Sequence, residues 1–67
     1  MKLYAIAVIP KRGRPYWDCE GDQLTKIFLY TNKRMAQEEA KFSRDMGEYP
    51  DGARVEVQQI EIPEPEI

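Results

Sequence analysis

The 67-residue sequence predicts an α+β domain of ββαβ topology, a three-stranded antiparallel sheet in the order 2-1-3 with one helix on one face. Three observations carry this prediction. Two apolar runs are separated by a basic loop, a capped helical pattern follows them, and the chain then ends in an alternating segment.

Residues 2–9, KLYAIAVI, form an unbroken apolar run rich in β-branched and aromatic side chains and closed by Pro10, the pattern of a central strand covered on both faces. Residues 24–31, LTKIFLYT, place Ile27, Phe28, Leu29 and Tyr30 in succession and make the second strand, antiparallel to the first. Asn32 is an N-cap whose side-chain oxygen can accept from an otherwise orphan N–H, and Gly47 is a suitable C′ residue. Between them Met35, Ala36, Ala40, Phe42, Ser43 and Met46 recur at three- and four-residue steps, an apolar stripe for packing on the sheet, with Glu38, Lys41 and Asp45 facing water. Tyr49, Pro50, Asp51 and Gly52 spell a turn.

The last strand, RVEVQQIEI, alternates at Val55 and Val57 but changes parity at Ile60 and Ile62, which predicts a bulge or bend at Gln58 and Gln59. A right-handed crossover through the helix then sets the first strand between the other two. Residues 1–62 form the domain, and residues 63–67, PEPEI, an extended, mobile acidic tail.

A chain this short hides only roughly 60% of its unfolded surface on folding, so an extra support is expected. A lone cysteine, Cys19, gives no internal disulfide, and the absence of histidine removes the usual zinc spacings. Self-association is the remaining support. Lys2 precedes an apolar run of only seven residues, too short for a signal peptide or a bilayer span; a cytoplasmic chain with reduced Cys19 is expected. The net charge of −2 argues against a general nucleic-acid coat, so any electrostatic function is local.

One helix covers one sheet face, yet the first strand is apolar on both. The uncovered face, with Tyr4, Ile6 and Val8 or their alternates, therefore predicts a homodimer or a protein partner there, and Tyr16 and Trp17 are residue types that dominate interface energetics. Lys11, Arg12, Gly13, Arg14 and Pro15 support a different reading. This segment resembles the AT-hook core, whose Arg-Gly-Arg-Pro lies in the minor groove of A·T-rich DNA; the resemblance implies nucleic-acid binding by Lys11, Arg12 and Arg14, with Tyr16 and Trp17 available to stack on bases. The bland alternative is a soluble hairpin tip, its arginines neutralised by Asp45, Glu48 and Asp51 at the same sheet end.

Lys33 and Arg34 in the first helical turn oppose the macrodipole and mark either an anion site or two solvated side chains. Asp18, Glu20 and Asp22 alternate like a calcium loop, but the twelfth position from Asp18 is Leu29, so no metal is expected. No catalytic constellation is present, and Asp18 and Glu20 beside Cys19 would keep its thiol protonated. The chain reads as a non-catalytic module without cofactors. In size and economy it is similar in general style to the small accessory proteins of bacteriophages and prophages, many of which bind and inhibit a host machine.

Overall fold

The computed structural model describes residues 1–19 and 26–65. The apolar run is the strand β1 (Lys2–Ile9), flanked by β2 (Tyr16–Trp17) on one side and β3 (Arg54–Glu61) on the other, both antiparallel, with the helix α1 (Lys33–Asp45) between β2 and β3 in the chain. The sheet order is β2-β1-β3.

The second strand is not where the apolar run at residues 24–31 predicts it. Its partner positions on β1 are taken first by the two aromatic residues that follow the basic loop, Trp17 opposite Ala7 and Tyr16 opposite Val8. The Asp18 N–H donates to the Ile6 carbonyl at 2.8 Å, extending the pairing by one residue. Tyr30 then returns to the same edge, exchanging two 2.8 Å hydrogen bonds with Tyr4. The expected run thus contributes single bridges at Ile27 and Tyr30; its residues 24 and 25 lie outside the described residues.

β3 shows no bulge. Its register against β1 is continuous from Lys2 opposite Glu61 to Ile9 opposite Arg54. The parity change is instead a change of face. Val55 and Val57 pair with Val8 and Ile6 under the helix, whereas Ile60 pairs with Leu3 on the open side.

The helix ends follow the capping signals. Asn32 Oδ1 accepts from the Arg34 N–H at 2.8 Å and the Met35 N–H at 3.4 Å, and Gly47 follows the C-cap Met46 at φ 75°. Only Ala36, Ala40 and Ser43 are buried. These small residues at steps of four and three let the helix sit close on Ile6, with Tyr4, Tyr30, Tyr49, Val55 and Val57 packed around that contact. Ile6 and Val8 are fully buried in the single chain, so they and Tyr4 belong to the helix side and are not the uncovered face; the register with the two valines of β3 decides this.

Gly52 takes φ 75° in the turn before β3, and the Lys11 side chain crosses directly over it. Gly47 has the same φ with open space around it. Alanine at either position should cost about 1–2 kcal/mol of left-handed strain by chemical denaturation. The two costs should agree within about 0.5 kcal/mol, because the far end of a lysine swings aside cheaply. A much larger cost at Gly52 would mean that Lys11 is fixed in place.

Candidate functional site

Three surfaces come out of this arrangement. The first is the open sheet face. Ala5 and Ala7 are buried at its centre, and Leu3, Ile9, Trp17 and Ile60 around them are half-buried. Ala7, Ile9, Pro15, Tyr16, Trp17 and Gln58 line a hollow of about 360 Å³ there. The β3 side of this face is polar, carrying Gln58 and an Arg54–Glu56 ion pair with Nε to Oε1 at 3.2 Å. The face is therefore less greasy than the sequence suggests, because small alanines occupy its middle.

The second surface is a flank of α1. At about 100° per residue, Met35, Phe42 and Met46 lie roughly 90–130° round the helix from the buried Ala36, Ala40 and Ser43. They are 54%, 56% and 64% exposed. The sequence predicts them in the stripe on the sheet; the six stripe positions, Ser43 included, span too wide an arc for one narrow contact, and the small residues take it. Lys33, Lys41 and Arg44 on the other flank face β3, so this flank lies on the β2 side of the sheet. Glu39 stands on the same side of the helix, and burial first, then its charge, raises the pKa of the Tyr30 phenol. Ile27, Phe28 and Leu29, just before Tyr30, are also exposed.

The third surface is a groove of about 520 Å³ between α1 and β3, lined by Lys33, Lys41 and Arg44 on the helix and Val55, Glu56 and Val57 on the strand. It lies on the helix flank opposite the apolar one.

Between the second surface and the core sits a polar contact. The Tyr49 hydroxyl donates to Asp18 Oδ2 at 2.9 Å in a partly buried setting. Burial is the main cause pushing the Tyr49 phenol pKa well above its ordinary value; a hydrogen bond with Ser43 opposes the shift, and the hydrogen bond and charge of Asp18 add to it. Burial likewise raises Tyr16, with Asp18 and Cys19 contributing.

The sequence-predicted residues are dispersed. Tyr16 faces the helix side and Trp17 the open side, as the partners of Val8 and Ala7. Lys11, Arg12 and Arg14 are exposed, and among the described residues neither arginine has an ion-pair partner, so Asp45, Glu48 and Asp51 do not neutralise them. Lys33 turns to the groove, while Arg34 Nε pairs with Glu38 Oε1 at 3.2 Å on the outer surface. Three of the N–H groups at this helix start are engaged by Asn32: its side chain accepts from residues 34 and 35, and its carbonyl from Ala36 at 3.2 Å. Glu20 and Asp22 lie outside the described residues. Residues 63–65 are exposed and form no regular structure. Among the described residues no helix is long and apolar enough to cross a membrane. Comparison with protein-family models, curated proteins and solved structures finds no match.

Proposed function

We propose that this chain is a non-catalytic binding module that works by protein–protein contact, and that its first partner is a second copy of itself, joined through the apolar flank of α1. One observation carries this: Met35, Phe42 and Met46, the three most exposed large apolar side chains among the described residues, share one flank of α1. Leaving three such side chains in water, in a domain with little stability to spare, favours burial against another surface.

A two-fold axis fits the stripe. In an antiparallel pair, Met35 of one copy faces Met46 of the other with Phe42 near the middle, and the flexible thioethers fill the irregular space between the helices. A dimer of this kind leaves the open sheet face and the Trp17 hollow free for a further protein, in keeping with the accessory-protein style of the sequence.

Sedimentation velocity tests the reading. The wild-type chain should sediment as a dimer at micromolar concentrations, and Phe42→Asp as a monomer with unchanged far-UV circular dichroism, since Phe42 is more than half exposed and is not among the described residues packed on the Ile6–Ala36–Ala40 contact. A wild-type chain that stays monomeric up to its solubility limit, or a Phe42→Asp variant that still dimerises, overturns it.

A further inference from the structure

We propose that the groove between α1 and β3 takes an extended acidic segment of a partner protein, with carboxylates at alternate positions, as a strand added to the edge of the sheet. The inference is independent of the dimer contact, which uses the opposite flank of the helix.

The backbone supplies the first half of the site. Met1 and Ile62 exchange hydrogen bonds of 2.7 and 2.9 Å, which sets the phase of the β1–β3 ladder. In that phase Leu3 and Ile60, Ala5 and Gln58, Ala7 and Glu56 are hydrogen-bonded pairs. The N–H and C=O groups of Val55, Val57 and Gln59 consequently point away from the sheet. Among the described residues no strand lies beyond β3, so this is an open template for strand addition.

The helix supplies the second half. A strand added about 4.8 Å beyond β3 directs alternate side chains to the helix side of the sheet, the side of Val55 and Val57. There it meets Lys33, Lys41 and Arg44. Among the described residues these three cations have no ion-pair partner, and the acid in the lining, Glu56, carries its carboxylate on Arg54. Lys33 and Lys41 are eight residues apart, about 12 Å along the helix axis. Carboxylates four residues apart on an extended chain are separated by about 13 Å, so acids at every second position of the added strand run alongside the cations.

Charge also selects the occupant. A second copy laid on this edge through its own β3 would bring two cationic flanks face to face, which like-charge repulsion disfavours. A nucleic acid would satisfy the cations but has no use for the row of strand N–H and C=O groups.

The test uses the full chain and three probes: a short synthetic peptide alternating valine and glutamate, its valine–lysine counterpart, and single-stranded oligo-dT. With the acidic peptide, the Val55, Val57 and Gln59 amide resonances should shift and their exchange should slow, with affinity falling as salt rises. The double variant Lys41→Glu/Arg44→Glu should bind it about tenfold or more weakly. Gln59→Pro provides a second variant. Its lost N–H is outward-facing, so the β1 ladder is kept, but a donor to the added strand is removed, and binding should weaken several-fold. Phe42→Asp should bind the peptide like the wild type, which separates this site from the dimer contact. Unperturbed β3 amides, equal binding by the charge-reversed chain, equal binding of the lysine peptide, or tighter binding of oligo-dT at this groove would each overturn the proposal.

Discussion

Ile6→Ala should unfold this domain at or near physiological temperature. Ile6 is fully buried at the centre of β1, directly beneath Ala36 and Ala40. Alanines on the helix side cannot grow to fill the space that its lost carbons leave, so the cavity persists and the cost falls at about 2–5 kcal/mol. A chain of 67 residues has few such contacts to spare. For a domain of this size each kcal/mol moves the melting temperature by about 4–8 °C. The conservative Ile6→Val should cost only about 0.5–1.5 kcal/mol. Thermal melts of the three proteins by circular dichroism check this. An Ile6→Ala chain melting within a few degrees of the wild type would show that the helix does not rest on this residue.

The same residue shows where the sequence is legible and where it is not. The apolar run of β1, the Asn32 cap and the Gly47 stop are local signals, and the structure follows each of them. Which face of β1 the helix covers is a non-local matter. Both parities of KLYAIAVI are apolar, so periodicity alone leaves Tyr4, Ile6 and Val8 and the alternate set Leu3, Ala5, Ala7 and Ile9 equally eligible. The register with Val55 and Val57 decides between them. A usable signal does exist: the small residues Ala36, Ala40 and Ser43 at steps of four and three mark the surface of closest approach, which should meet the bulkier parity of the strand.

The edge strand and the surfaces were less readable for related reasons. The run at residues 27–30 is more apolar than Tyr16 and Trp17, yet only Tyr30 of it meets β1, while Ile27 bridges Cys19 and the Phe28 N–H donates to the Asp18 carbonyl at 3.2 Å. Which residues pair with β1 depends on tertiary contacts that no local pattern encodes. Once the small-residue stripe fixes the orientation of α1, the two flanks follow from 3.6-residue geometry. Met35, Phe42 and Met46 fall to one side and Lys33, Lys41 and Arg44 to the other. A helix apolar on one flank and cationic on the other, seated on the sheet by its smallest residues, can present two chemically different surfaces at once.

Tyr49→Phe should weaken the fold by about 1–2 kcal/mol at neutral pH and change how it responds to alkali. The lost hydroxyl is the donor to Asp18 at 2.9 Å, and in the variant that carboxylate keeps only what water can reach it. The pH response follows from the direction of the phenol shift. The folded protein holds the Tyr49 proton to a higher pH than the unfolded chain does. The stabilisation is therefore fully present below the ordinary tyrosine value of about 10 and is lost as pH rises from there towards the folded value, where the unfolded chain binds fewer protons. Tyr16 and Tyr30 shift in the same direction, so both proteins should lose stability in alkali. The wild type loses more, because it alone has a phenol at position 49. Urea midpoints compared at neutral pH and at pH values stepped upward from about 9 should show the gap between the two proteins narrowing. A gap that stays constant across that range would mean that Tyr49 titrates alike in the folded and unfolded chain, and the absence of any gap at neutral pH would mean that its contact with Asp18 does not help to fasten β2 to the segment after α1.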